Sequence, residues 1–148
     1  MKKNIFFLLL LFASIIFAQN FEKTLVGKWH GKGKIIVTWC ERDSLNFDIN
    51  IAKDGKVTGK IGDAEIKNAV LEKRSPVMEA LGNGEYIIRG ELEGAIVKDE
   101  KISREGFTLM FDYENGKLAG GFHTTGSKFG GKEKMVLTVS GVKLEKEK

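Results

Sequence analysis

Alternation of apolar and polar residues runs through most of this chain and limits what it can fold into. Between residues 45 and 51 every odd position is apolar and every even position is polar. Because successive side chains of a strand point to opposite faces, such a segment buries one face and leaves the other in water. No helix-length stretch with a 3.6-residue period follows residue 20, although residues 76–81 fit a single turn. The sequence therefore predicts an all-β domain.

We predict eight consecutive antiparallel strands. They cover residues 30–41, 45–53, 56–62, 65–74, 85–97, 102–113, 117–125 and 133–144. The dipeptides Asp54-Gly55 and Asn115-Gly116 predict two tight hairpins, since a type I′ turn needs positive φ at both central residues. Eight strands with short connections avoid exposed edges by closing into an up-and-down barrel. A β-sandwich is the alternative.

The first 18 residues have the pattern of an export signal. Lys2 and Lys3 precede an apolar run that ends at Ala18, just before the polar Gln19. Residues 4–18 fall short of the roughly 20 apolar residues that cross a bilayer. We therefore expect a signal peptide at 1–18 and a β-barrel domain at 19–148. The mature protein is expected to be soluble, without a membrane span, in the periplasm or outside the cell.

Composition disfavours several function classes. The net charge of the chain is +4, and it becomes +2 when Lys2 and Lys3 leave with the signal, so we expect no binding to nucleic acid. The single cysteine, Cys40, permits no internal disulfide. Two histidines without metal-ligand spacing, and no recognisable nucleophile and base pair, lead us to expect no metal site and no enzyme activity.

The segment 25–33, with the sequence LVGKWHGKG, resembles the opening of the calycin superfamily. In that superfamily a Gly-x-Trp motif lies on the first strand of a small barrel. Among calycins, the lipocalin likeness implies that Trp29 plugs one end of the barrel beneath a basic side chain from the last strand, Lys143 or Lys134. The same segment is similar to the opening of nitrobindins, and residues 54–59 are similar to a hairpin of avidins.

The ligands of those two families are not expected here. Biotin binding in avidins needs a tyrosine soon after the hairpin and several later tryptophans, whereas this chain has Lys60 and Ile61 there and no tryptophan beyond Trp39. Haem binding needs an inward histidine, and His123 points outward if its neighbour Phe122 faces the core. We therefore predict no cofactor.

Two hypotheses describe the function. In the first, the barrel binds a small hydrophobic ligand in a closed apolar cavity of about a few hundred Å³. In the second, the same side chains fill the barrel, and the protein is a structural or protein-interaction domain of the cell envelope without a ligand. The candidate wall residues for ligand binding are Trp39, Tyr86, Phe107, Phe111, Tyr113 and Phe122.

A basic stripe occupies the first predicted strand. Lys28, His30, Lys32 and Lys34 recur every two residues and therefore share one face. Such a stripe suits an anion or an acidic membrane surface. The interpretation that we favour from sequence is that lysines along a potential edge strand prevent edge-to-edge aggregation.

Overall fold

A computed structural model describes residues 23–37, 40, 42–82, 84–97, 102–128 and 134–148 of the chain. The predicted signal peptide at 1–18 lies outside these residues, and so does Trp39.

The described residues form eight antiparallel strands and one short helix. The strands are β1 (Gly27–Ile35), β2 (Ser44–Ile51), β3 (Lys56–Ile61), β4 (Ala64–Lys73), β5 (Tyr86–Glu93), β6 (Ile102–Glu114), β7 (Lys117–Lys128) and β8 (Lys134–Lys146), and the helix α1 (Pro76–Ala80) joins β4 to β5. Each strand pairs with the next, and β8 pairs with β1, so the sheet closes into a barrel. The predicted all-β barrel is confirmed, and the sandwich alternative is wrong.

Strand ends differ most from prediction in β1 and β5. β1 begins at Gly27 rather than at residue 30, because Gly27 and Lys28 pair with the end of β2. It ends at Ile35 rather than at residue 41, and Ile36, Val37 and Cys40 lie outside the strand. β5 ends at Glu93 rather than at residue 97, because the next residue, Gly94, adopts a φ of 93° and breaks the extended backbone.

The two predicted hairpins turn differently. Asn115 and Gly116 have φ values of 51° and 79°, which confirms a type I′ turn. At the other hairpin the prediction is wrong, because only Gly55 has positive φ, at 81°. The backbone N–H of Gly55 donates to the Ala52 carbonyl at 3.0 Å, and that of Lys56 donates to Oδ1 of Asp54 at 3.1 Å. The loop is therefore three residues long and ends on a glycine in the left-handed region.

Inward side chains from all eight strands form one apolar core. On β2, for example, each of the four odd-numbered apolar residues is at most 2% exposed, as the alternation predicts. The largest fully buried side chains are Trp29, Phe47, Phe111, Phe122, Leu25, Leu45, Ile49, Ile51, Ile61, Ile88, Ile96 and Leu109. An eight-stranded barrel is just wide enough for such side chains to fill it.

Glycines on alternate strands let the sheet coil tightly enough to close. A Cβ atom at Gly31 would overlap the Lys143 carbonyl of β8, and one at Gly120 would overlap the Met110 carbonyl of β6. Gly59 on β3 and Gly90 on β5 are covered in the same way by the neighbouring strand. The odd-numbered strands thus each carry one glycine over which an adjacent strand passes closely.

Candidate functional site

Most of the predicted ligand-wall residues lie in the barrel interior. Tyr86, Phe107, Phe111 and Phe122 are buried at 4% exposure or less, and Tyr113 is half-buried and packs against the same core. Trp39, the sixth predicted wall residue, lies outside the described residues. The parity of each strand decides these positions, so the alternation predicted the inward placement of the five described residues, and their contact with a ligand stays a prediction.

The interior rings contact one another directly. Phe122 packs against Phe47 with ring centroids 5.3 Å apart and against Phe107 at 5.9 Å. Tyr86 stacks on Phe111 at 5.7 Å with an interplanar angle of 21°. These spacings lie within the range of favourable aromatic pairs. Sequence reasoning left Phe47 out of the wall set, although its inward position on β2 was predicted.

One end of the barrel is sealed around Trp29. The indole Nε1–H donates to the Leu25 carbonyl at 2.8 Å, and both residues are at most 1% exposed. The Tyr113 ring lies edge-on to the indole, with centroids 6.2 Å apart. On the outside, Nζ of Lys146 lies 5.5 Å from the ring centroid of Trp29 and donates to the Thr24 carbonyl at 2.9 Å. This is a cation–π contact beside a hydrogen-bonded plug.

The resemblance to lipocalins predicted this arrangement but named the wrong lysine. A basic side chain of the last strand does cover Trp29, and it is Lys146, the residue directly opposite Trp29 in the β1–β8 register. Lys143 pairs with Lys32 instead and is exposed on the outer wall. Lys134 begins β8, whereas Trp29 pairs with its end.

A basic depression lies on the outer wall where β1 meets β8. Its volume is about 820 Å³. The residues that line it are His30, Gly31, Lys32, Gly33, Lys34, Asp43, Ser44, Lys117, Gly141, Lys143 and Glu145. Three of the four residues of the predicted basic stripe face this depression, and the fourth, Lys28, forms an ion pair with Glu147 at 3.4 Å.

The edge-strand interpretation of this stripe is wrong. β1 hydrogen-bonds to β2 on one side and to β8 on the other, so its lysines protect no free edge. Sequence reasoning also missed Lys143 and Lys117 as members of the same surface. The predicted closure of the barrel sets the last strand beside the first and is the signal that could have found them. The register that sets Lys143 opposite Lys32, however, depends on an irregularity between Lys32 and Lys34.

Charges at the margin of the depression are partly paired. Lys117 lies 2.6 Å from Oε1 of Glu145, and this hydrogen bond together with the charge of Lys117 lowers the pKa of Glu145. His30, which stands opposite Glu145 in the register, adds a weaker electrostatic contribution in the same direction. Glu145 is therefore ionised and engaged by Lys117 at neutral pH.

Two further depressions lie on the outer wall. One of about 250 Å³ is bounded by Met110, Asp112 and the glycines around α1 and β7, and another of about 210 Å³ is bounded by Arg89, Thr108 and His123. His123 is exposed, while Phe122 on the same strand is buried, as strand parity predicts. Thr124, which is also inward, satisfies its hydroxyl by donating to the Gly106 carbonyl at 2.6 Å.

Within the ranges that the structure describes, no group of three or more His, Cys, Asp and Glu side chains is placed to hold a metal ion. No helix in those ranges is long and apolar enough to cross a membrane.

Comparisons with protein-family models, with curated proteins and with solved structures each found no match to this chain. The closed eight-stranded barrel is consistent with a calycin-like architecture. The likeness to calycins accordingly rests on the barrel, on the Gly-x-Trp segment and on the covered Trp29.

Proposed function

We propose that this protein is an exported, non-catalytic β-barrel whose own side chains fill its interior, and that it acts in the cell envelope through its outer surface. The observation that carries this proposal is the direct contact between inward aromatic rings. Phe47, Phe111 and Phe122 are each 1% exposed, and their rings touch other rings of the core.

The exposure values bear on the volume available for a ligand. A cavity of about 300 Å³ or more would be large enough to hold water and would expose the side chains that line it. Ile88, Leu137 and Thr124, on three different strands, are 0% exposed. Their burial favours close packing over a pre-formed ligand chamber among the described residues.

The export and non-catalytic parts of the proposal rest on other observations. Lys2, Lys3 and the apolar run to Ala18 favour passage out of the cytoplasm. Among the described residues, the carboxyl groups whose pKa values are displaced are Asp54, Glu65 and Glu145, and each is exposed and has its pKa lowered by a neighbouring lysine. Surface ion pairs of this kind differ from the buried, converging titratable groups of an active site.

A second candidate function is the binding of a small hydrophobic molecule. The observation that favours it is the difference between the two ends of the barrel. Leu25, Trp29 and Lys146 seal one end, whereas Val37 and Cys40 are only partly buried against the core beyond the other end of β1. A hydrophobic ligand would enter at that second end and meet Phe107 and Phe122, after displacement of side chains that now touch.

Native mass spectrometry distinguishes the two candidates. The protein is purified from its own host and weighed before and after denaturation, and a neutral apolar dye, 1-N-phenylnaphthylamine, is titrated against the folded protein. For a filled barrel we expect the bare chain mass and no dye fluorescence above that of an equal amount of denatured chain. A reproducible small adduct that is lost on unfolding, together with saturable dye binding, would replace the first candidate by the second.

A further inference from the structure

We propose that Lys32, Lys34 and Lys143 form a binding site for a phosphate-bearing anion on the outer wall of the barrel. The site is the 820 Å³ depression where β1 meets β8. It does not depend on the proposed function, because it lies outside the barrel and is the same whether the interior is filled or holds a ligand.

The first step is a pair of like charges at the centre of the depression. Lys32 on β1 and Lys143 on β8 stand directly opposite each other, and both side chains are exposed on the outer face. Like charges at directly opposite positions of an antiparallel pair destabilise the sheet. Lys34, two residues along β1, adds a third positive charge to the same depression.

The second step is a comparison with the like-charge pair on the far side of the barrel. Glu65 on β4 and Glu93 on β5 also stand directly opposite each other. There the chain supplies its own counter-ion, since Nζ of Lys67 lies 3.0 Å from a carboxylate oxygen of each glutamate. The hydrogen bonds that Lys67 donates to Glu65 and Glu93 raise the pKa of Lys67 and keep it charged.

In the part of the chain that the structure describes, no such counter-ion lies beside Lys32 and Lys143. Among the described residues, no carboxylate forms an ion pair with Lys32, Lys34 or Lys143, whereas Lys28, Lys56, Lys67, Lys73 and Lys117 each have one. The nearest acidic neighbour along β8, Glu145, is already engaged by Lys117 at 2.6 Å. A lysine of the chain thus neutralises the acidic pair Glu65 and Glu93, whereas the basic pair Lys32 and Lys143 is open to an anion from solution.

The shape of the depression points to a discrete ligand. The β1–β8 register shifts between Lys32 and Lys34, and a bulge of this kind bends a strand and redirects its side chains. At Gly141, in the bulge, no heavy atom beyond those of its two chain neighbours lies within 4 Å of the position that a Cβ atom would take, so this part of the depression is open. The volume falls within the range of small-molecule sites, and lysine ammonium groups bind phosphate as point charges. A phosphate group, on a free small molecule or on a lipid headgroup, is therefore the chemistry that we assign.

The test is a titration of the protein, expressed from the full chain, with pyrophosphate. Binding is monitored by ¹⁵N–¹H correlation spectra at each concentration. We expect saturable shifts of the Gly31, Gly33 and Gly141 amides. At low salt each lysine contributes about fivefold to affinity, so Lys32→Gln/Lys143→Gln should weaken pyrophosphate binding about 25-fold. The matched control is Lys53→Gln/Lys60→Gln, which removes the same charge elsewhere on the barrel. It should change the affinity for pyrophosphate less than about twofold, because solvent and salt screen these distant charges from the depression.

Vesicles distinguish the source of the phosphate. Co-sedimentation with phosphatidylglycerol vesicles but not with phosphatidylcholine vesicles, lost in the Lys32/Lys143 variant and competed by pyrophosphate, would place the same chemistry on a lipid. Pyrophosphate binding without co-sedimentation would place it on a free molecule. Equal weakening in both double variants, or no shift at the three glycines with either probe, would overturn the proposal.

Discussion

At the scale of single residues, Trp29 combines a buried hydrogen bond, an edge-on contact with Tyr113 and a cation–π contact. Its N–H is the donor to a buried carbonyl, and its outer face lies under Lys146. Replacing Trp29 by Phe keeps a ring in the plug but leaves the Leu25 carbonyl without its donor. We expect the free energy of unfolding to fall by about 1–3 kcal/mol, as measured by urea denaturation followed by circular dichroism.

Lys146→Met serves as the companion variant for Trp29. It keeps most of the side-chain stem and removes the charge above the indole, so we expect a loss of about 0.5–1 kcal/mol. The loss of stability in the double variant should be smaller than the sum of the two single losses only if the ammonium group and the indole interact. A Trp29→Phe variant as stable as the parent protein would show that the hydrogen bond to Leu25 does not hold this end closed.

The sequence located Trp29 but not its lysine, and the reason is physical. The Gly-x-Trp pattern marks a first strand whose tryptophan faces inward, which is a local property. The lysine above it depends on how β8 is aligned with β1, and that alignment shifts between Lys32 and Lys34. Alternation along β8 puts Lys146 on the face of the buried Leu144 and Lys143 on the other face, but only the register with β1 sets Lys146 opposite Trp29.

At the scale of strands, closure depends on glycines that an adjacent strand crosses. Gly120 on β7 has no room for a Cβ atom, because the Met110 carbonyl and the Phe111 Cα of β6 occupy that position. Gly120→Ala should therefore force β6 and β7 apart and lower the free energy of unfolding by about 1–3 kcal/mol or more. The measurement is urea denaturation under conditions where the parent protein unfolds reversibly.

The next residue provides the control for that substitution. A Cβ atom at Gly121 would lie 3.7 Å from the Val139 carbonyl, an ordinary contact. We expect Gly121→Ala to change stability by less than about 1 kcal/mol, with a gain possible because alanine restricts the unfolded chain. Equal losses at the two positions would mean that glycine is needed in β7 for a reason other than the close approach of β6.

Strands β4 and β5 also carry a pH-dependent contribution. A hydrogen bond from Lys67 and the charge of that lysine lower the pKa of Glu65 below its usual value of 4.5. A carboxyl whose pKa is lower in the folded state stabilises the protein above the unfolded pKa, and this contribution is lost as pH falls through the folded pKa. We expect the urea midpoint to fall as the pH is lowered from 6 to 3, and to fall less in Lys67→Gln. An identical pH profile for both proteins would show that the Lys67 pair makes no contribution to stability.

The two hairpins show how far turn chemistry in the sequence can be used. Asn115-Gly116 forms the predicted type I′ turn, since both residues tolerate positive φ. Asp54-Gly55 has the same kind of sequence but forms a three-residue loop, because the Asp54 carboxylate accepts the Lys56 N–H and Gly55 alone takes positive φ. The location of a turn thus follows from its residues, whereas its type depends on the register of the strands that it joins.

At the scale of the whole molecule, the alternation of residues predicted the barrel but not its surface. Period-two segments fix which side chains face inward, and the number of strands with short connections favours closure. The basic depression became interpretable only from the closed barrel, because its lysines come from β1, β7 and β8 and the register of the β1–β8 pair sets Lys32 opposite Lys143. Surface properties that arise between the first and last strands are non-local, and a single sequence read in order does not bring them together.

The packing of the whole interior can be tested at Phe122, whose ring lies 5.3 Å from that of Phe47 and 5.9 Å from that of Phe107. If the barrel is filled, Phe122→Ala creates a cavity and should lower the free energy of unfolding by about 3–5 kcal/mol. The variant should also gain binding of benzene, measured by its thermal shift, because an apolar cavity of about 150 Å³ holds that molecule. Val136→Ala, on the exposed outer wall, should change stability by less than about 0.5 kcal/mol. If Phe122 instead lines a ligand chamber, the parent protein itself should bind benzene, and truncation of the ring should cost much less than a core substitution.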